Sequence, residues 1–323
     1  MVLGWQEQQW QQLAQARGQD RLHHAILLVG QRGLGKHQFA IRLAHALLCQ
    51  TPDDSGDACG HCSACRLLAA DTHPDLSVLS PLPPKDSKSQ DPVLSIRIDA
   101  IRDLGEKLST TASMGGRRVA VITDAEKMRH EAANSLLKTL EEPGSGTHII
   151  LTSSQPHRLP ITIRSRCQQL VFPVPADSDV IAWLQQQGVA DPEQTLRQHH
   201  GAPLAAANDE QAEERQLMAD ALLARARHKP SLAYSDAMSK LPRQRLLSLM
   251  QDWLADLIRT KAGCHEHVAN IAHRKELGSI AQTADWKRLY RLQDELCRLS
   301  RVDGIALNGQ LFWENLLISW DRL

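Results

Sequence analysis

Aromatic residues are scarce: phenylalanine, tyrosine and tryptophan together make up 4% of the 323 positions. That disfavours a β-sandwich core, and the leucine- and alanine-rich 42% hydrophobic fraction points to helix packed on helix or on sheet. Charge of one sign is also lacking, since 37 basic residues balance 37 acidic ones. No global attraction to nucleic-acid phosphate or anionic lipid follows, so any DNA contact has to be local. No apolar run reaches membrane-spanning length, and the first twenty residues carry Glu7, Arg17 and Asp20 among glutamines, not the apolar centre of a signal peptide. The expectation is a cytoplasmic chain with no membrane partner, long enough for two or three domains and without internal repeats.

What is present begins with the apolar run Ala25-Ile26-Leu27-Leu28-Val29, which ends in Gly30. Phe39, Ala40, Leu43, Ala44, Leu47 and Leu48 follow at helical spacing, giving strand, loop, helix. Runs at 76–79, 119–123 and 149–152 have the length and branching of buried parallel strands, each separated from the next by a helical pattern. Asp99 is placed as N-cap of a helix starting near Ala100, and a second helix is expected from about Ala125 to Glu142, ended by Pro143 and Gly144. The Pro-, Ser- and Asp-rich segment from Ser80 to Pro92 reads as a mobile surface loop. After Val171 the prolines at 173 and 175 mark a linker, a small helical segment covers roughly 178–208, and 209–323 reads as all helix. Trp253, Trp286, Trp313 and Trp320 there are expected to anchor the core or helix interfaces.

Four of the seven cysteines, Cys49, Cys59, Cys62 and Cys65, stand in a C-x9-C-x2-C-x2-C spacing. The last three thiolates can converge from a tight turn through Gly60 while the first returns from a helix end, and four sulfurs satisfy tetrahedral zinc. With no vacant position such a zinc is structural; His61 is a spare candidate ligand, which a complete cysteine set favours leaving in solvent. Cys167, Cys264 and Cys297 are isolated in sequence, and each is expected to be a buried hydrophobe.

Gly30-Gln31-Arg32-Gly33-Leu34-Gly35-Lys36-His37 follows a strand and opens a helix, the context a phosphate loop requires. Its glycines let backbone N–H groups converge on phosphate, and Lys36 can reach the outer phosphates. The Mg²⁺ ligands are missing. His37 stands where Ser or Thr would bind the metal, and Thr123, followed by Asp124, stands where the acidic residue at the strand end is needed. The expectation is a vestigial loop that hydrolyses ATP poorly or not at all, whether or not nucleotide still enters; Asp124 could contribute only through water.

The segment Ala133-Asn134-Ser135-Leu136-Leu137-Lys138-Thr139-Leu140-Glu141-Glu142-Pro143 resembles a motif of the bacterial DNA polymerase III clamp-loader subunits, a family of AAA+ proteins. So does Leu159-Pro160-Ile161-Thr162-Ile163-Arg164-Ser165-Arg166-Cys167. The same family carries a four-cysteine zinc module at this place, followed by Thr72-His73-Pro74-Asp75, so the resemblance spans most of residues 20–172. It implies an α/β AAA+ domain over 1–168, with a five-stranded parallel sheet, flanking helices and a zinc-module insertion at 49–65. A helical lid over 169–208 and an all-α collar over 209–323 would follow.

Two kinds of subunit share these motifs, a gamma/tau motor that hydrolyses ATP and a kind that has lost the machinery. His37 and Thr123 place this chain with the second. Leu204, in Gly201-Ala202-Pro203-Leu204, agrees, because it stands where the motor would carry a nucleotide-sensing arginine. Ser153 or Ser154 would hold the sensor position on the fourth strand. The resemblance further implies that Arg166, between Ser165 and Cys167, projects into a neighbour's nucleotide site as an arginine finger. Arg164 is its neighbouring competitor, for which an exposed salt-bridging role is expected, and Lys138 with Glu142 is an i,i+4 pair worth a few tenths of a kcal/mol, ~0.3. The implied role is a stator in a pentameric ring with gamma/tau and delta subunits, acting indirectly on the beta sliding clamp and primed DNA. The rival readings are an ATP-hydrolysing motor and a zinc-containing nucleic-acid-binding module acting alone.

Overall fold

A computed structural model describes residues 3–83, 94–114, 116–209, 211–227, 229–300 and 308–323. Most of the loop expected from Ser80 to Pro92 lies outside them. The chain packs as two compact units: one holds Met1–Ser87, Leu94–Val180 and Ala202–Ala205, the other Ile181–Gly201 and Ala206–Leu323.

The first unit is built on β1 (Ala25–Val29), β2 (Leu76–Leu79), β3 (Arg118–Ile122), β4 (Thr147–Ser153) and β5 (Gln168–Val171), all parallel in the order β2-β3-β4-β1-β5. Successive strand residues point to opposite faces, so a sheet covered on both sides needs unbroken apolar runs. Ile26, Leu28, Val119, Val121 and Ile150 enter one core with Trp10, Phe39 and Phe172, whose rings meet edge to face at 5.7 and 4.9 Å. Ala25, Leu27, Ala120, Ile122, Ile149 and Leu151 enter the other. The first core is closed by α1 (Glu7–Gly18) and α2 (Lys36–Leu48), with α3 (Ser63–Ala69) beside them. The second is closed by α4 (Ile98–Ser109), α5 (His130–Glu141) and the single turn α6 (Ile161–Arg164). The expected α/β layer with its cysteine-bearing insertion is therefore borne out.

Several local expectations are corrected. The strand at 76–79 is an edge strand and leaves Val78 49% exposed, not a fully buried one. Asp99 sits inside the first turn of α4, which starts at Ile98 behind Arg97; it favours the positive helix end without capping it. The long helix expected from Ala125 breaks, because the backbone of Ile96 donates to Lys127 O and accepts from Arg129 N, which forces Met128 into extended conformation before α5 begins. Asp75, in the Thr72–Asp75 segment, is buried and accepts from the backbone N–H of Ser113 and Met114 while facing Arg118 at 3.6 Å. It ties the start of β2 to the chain entering β3.

α7 (Asp177–Gln186), α8 (Pro192–Gln198) and α9 (Pro203–Ala207) follow the sheet. The second unit is completed by α10 (Ala212–Leu223), α11 (Ser235–Ser239), α12 (Arg243–Lys261), α13 (Arg274–Thr283), α14 (Trp286–Leu299) and α15 (Gly309–Asp321). Trp253, Trp313 and Trp320 are core residues, and the Trp320 indole donates to Leu222 O at 2.9 Å. Trp286 is not: it opens α14 one turn before buried Leu289, is 40% exposed, and stacks on exposed Tyr290 at 6.0 Å. Cys264 is exposed because α12 ends in a turn through Gly263 at φ +80°, while Cys167 is buried and Cys297 half-buried.

Asp256, fully buried on α12, accepts from the backbone N–H of Ala269 and Asn270, from the Asn270 side chain and from Arg259. Removing it strands these donors. Asp256→Ala is expected to destabilise the protein by about 3–5 kcal/mol, the usual cost of breaking a buried hydrogen-bonded charge. Denaturant titration checks this, and a loss near zero would show that the loop re-pairs without it.

Candidate functional site

The expected phosphate loop is present in shape. β1 lies between β4 and β5, so the loop leaves the carboxyl edge of the sheet where the strand order reverses, the usual ligand position in such sheets. Gly33 and Gly35 adopt φ of +82° and +85°, open to glycine but strained for other residues. A Cβ on Gly30 would meet Phe172 O at 2.6 Å, so this position admits no side chain.

The loop is filled by the protein itself. Lys36 is 6% exposed, and its ammonium donates to Gly30 O at 2.7 Å, Gln31 O at 2.7 Å and Ser154 Oγ at 3.2 Å. Three acceptors match its three hydrogens. Burial lowers the Lys36 pKa to about 8 against the pull of Glu126 and Asp124. Gln6 donates to Leu34 O at 2.8 Å, Trp5 to the same oxygen at 3.3 Å, and the Leu204 N–H to Gly33 O at 3.0 Å. Gly35 has Leu3, Gln6 and Leu204 packed where its side chain would be, and Gly33 has Ala202 and Ala205.

The metal positions are equally unsuited. His37 is exposed, and the Thr123 hydroxyl donates to Ser80 Oγ at 2.9 Å. Asp124 stands in the left-handed region at φ +44° and pairs with Lys127 at 3.3 Å. Of the two sensor candidates, Ser154 reaches Lys36, whereas Ser153 is buried and its Oγ accepts from Gln155 N.

The four cysteines do converge. Cys49 caps the end of α2, Cys59, Gly60 at φ +77° and Cys62 form the turn, and Cys65 lies on α3. Their sulfurs all lie within 4.8 Å of one another, with Cys49–Cys62 and Cys59–Cys65 both at 3.9 Å. A tetrahedron with Zn–S bonds of about 2.3 Å has edges of about 3.8 Å, so the sulfurs fit such an ion. Backbone N–H groups of Cys59, Cys62 and Cys65 donate to the sulfurs of Cys49, Cys59 and Cys62 at 3.3, 3.4 and 3.4 Å. The Thr51 hydroxyl pulls the Cys59 thiol down to about 5, while burial pushes Cys65 up to about 12. His61 faces solvent, with Nδ1 at 2.8 Å from Cys59 O. The module is held by Arg42, which pairs with Asp57 at 2.5 Å and lies 3.6 Å over the Trp10 ring, and by Trp10 Nε1 donating to Ser55 O.

Arg166 emerges just after α6, next to exposed Ser165 and buried Cys167. Its side chain is 36% exposed; Nε donates to Glu141 Oε1 at 2.7 Å, Nη2 pairs with the same oxygen at 2.5 Å, and Nη1 donates to Thr162 O at 3.0 Å. Arg164 is half-buried, with Nε enclosed and without a hydrogen-bond partner; among the described residues it forms no salt bridge, so the exposed pair expected of it is not seen there. Nor is the Lys138–Glu142 pair, since Glu142 leaves the helix at φ −125°, ψ 68° and no ion pair among the described residues joins the two.

The description "DNA polymerase III, delta subunit" matches residues 5–176, and "DNA polymerase III, delta subunit, C terminal" matches 209–322. The DNA polymerase III delta' subunit of Pseudomonas aeruginosa is 34% identical over 100% of this chain and 98% of its own length; that of Escherichia coli is 31% identical over 97% and 93%. This chain belongs to the DNA polymerase III delta' family. Among solved structures, a gamma subunit-related protein of Thermotoga maritima aligns over 98% of this chain and 99% of that one, at 18% identity and a TM-score of 0.48.

Membership in the delta' family makes the chain a clamp-loader subunit of DNA polymerase III, an accessory in DNA replication that works in a complex with other loader subunits. Among the described residues no helix is long and apolar enough to cross a membrane. Four contributors escaped the sequence. Leu3 and Gln6 seal the phosphate loop from about thirty residues upstream, in a stretch whose sequence shows only the lack of a signal peptide's apolar centre. Glu126 accepts from Ser154 N and faces Lys36, although it lies outside the acidic position the motif assigns. Glu141 lies within a segment that carried the family resemblance, yet its spacing gave no sign of a partner 25 positions on.

Proposed function

We propose that this chain is the fixed, non-hydrolysing member of the loader and lends Arg166 in trans to the ATPase site of an adjoining gamma/tau subunit. In this reading it stands in a pentameric arc with the gamma/tau and delta subunits, and turnover at the neighbouring site opens and releases the sliding clamp on primed DNA. The AAA+-type domain over 1–168 carries the finger, a helical lid over 169–208 follows it, and the collar over 209–323 joins the ring. The zinc ion belongs to Cys49, Cys59, Cys62 and Cys65; it crosslinks the insertion and supplies no chemistry to ATP.

The observation that carries this reading is a contrast within one domain. The inward phosphate loop is closed on its own donors and acceptors, with Lys36 matched by Gly30, Gln31 and Ser154, while Arg166 stands at the surface. A guanidinium is permanently charged and offers a planar fork of donors, suited to the charge spread over a γ-phosphoryl group. The purified chain with Mg²⁺ and ATP is expected to show no turnover above background, read as phosphate release. Brisk turnover by the chain alone would make it a motor. Reconstituting the loader with Arg166→Ala tests the other half, and unchanged hydrolysis with normal clamp loading would remove the finger assignment.

A further inference from the structure

We propose that Glu141 is the positioning residue of Arg166: its carboxylate holds the guanidinium on the surface of the domain in one conformer, ready for the neighbouring phosphate. This rests on the trans role given to Arg166 above. The guanidinium is gripped on two sides, by Glu141 Oε1 through Nε and Nη2, and by Thr162 O through Nη1. Of its five N–H bonds these use three. One N–H on each terminal nitrogen is left, apart from a long 3.5 Å contact of Nη1 with Ser165 Oγ. Two remaining donors are what a pair of phosphoryl oxygens requires.

Glu141 has no other evident purpose where it stands. It is the last residue of α5, the negative end of the helix, where an anion is disfavoured unless a cation answers it. Its side chain is 50% exposed, so it adds little to the core. The same exposure decides between holding the arginine ready and holding it back. An exposed ion pair shifts an equilibrium by a factor of about five at most. That is far below the factor of about 10³ to 10⁵ ascribed to arginine fingers, so the pair cannot lock the finger away. It is strong enough to concentrate the side chain in one rotamer, sparing part of the ordering entropy at each catalytic encounter.

The test uses the reconstituted loader with clamp, primed DNA and ATP, following the phase of hydrolysis that Arg166→Ala removes. Glu141→Ala should slow that phase up to about fivefold through kcat, with KM for ATP unchanged. Glu141→Gln, which keeps an acceptor oxygen, should slow it less, and Glu142→Ala at the neighbouring exposed residue should leave it alone. On the Arg166→Ala background, Glu141→Ala should add nothing, because it acts through the arginine. The proposal is overturned if Glu141→Ala in a fully assembled loader runs at the wild-type rate, or if it slows the Arg166→Ala loader by the same factor. A slow Arg166→Ala with a normal Glu141→Ala would sink the positioning role alone; a normal Arg166→Ala would sink the finger and this role together.

Discussion

Arg166→Ala in the assembled loader is expected to slow ATP hydrolysis at the one adjoining site by about 10³ to 10⁵, the range for arginine fingers as a class, or roughly 4–7 kcal/mol of barrier. In the proposed arc this chain serves one site alone, so steady-state turnover of the whole loader should fall by far less than this. Single-turnover hydrolysis separates the sites: one site's share of the fast phase should vanish. Arg166→Lys should recover little of it, because a single ammonium cannot reproduce the planar fork. Unfolding does not explain such a loss. The side chain is 36% exposed, and its contacts with Glu141 and Thr162 are an exposed ion pair and one helix-end hydrogen bond, worth together ~1–2 kcal/mol. A full fast phase from a correctly assembled Arg166→Ala loader would end the trans role.

The other large effect concerns the cysteines. Cys62→Ser or Cys65→Ser should take the metal content from about one zinc per chain to near none, since the remaining three sulfurs no longer close the tetrahedron. Structural zinc binds small peptides with about 10–16 kcal/mol of apparent free energy, which is also folding free energy for the segment it organises. The consequence should be local. Residues 49–65 are tied to the helices α1 and α2, by the Trp10–Ser55 hydrogen bond and the Arg42–Asp57 pair, so their amides should lose exchange protection while β1, β3 and β4 keep theirs. Cys264→Ser, at an exposed and isolated sulfur, is the control and should retain the zinc. Full metal content in Cys65→Ser would show that the cluster does not hold the ion as a set of four.

What the sequence disclosed was set by the range of the interactions involved. Strands buried on both faces must be apolar throughout, so β1, β3 and β4 were legible from composition alone, as was the cysteine turn, whose ligands are close in the chain. The break before α5 was not, because it comes from Ile96 bonding across to Lys127 and Arg129, a tertiary contact that overrides helical periodicity. The same holds for the site. Residue types at Lys36, His37 and Thr123 announced a loop poor in metal ligands, but that Leu3, Gln6 and Leu204 would fill it could be known only from the folded chain. The exposure of Trp286 was hidden for a related reason: a helix pattern marks which face is apolar, not where the neighbouring core stops.

A ligand can change a protein's conformation only as far as it binds one state better than another. In the proposed reading the Lys36 loop, with its ammonium donating to Gly30, Gln31 and Ser154 and with Leu3, Gln6 and Leu204 packed against Gly35, gives ATP no preference for one shape of the domain over another. If the chain is the non-hydrolysing member proposed above, this domain keeps a single resting shape whatever the ratio of ATP to ADP, and any displacement it undergoes during a loading cycle is work done on it by its neighbours.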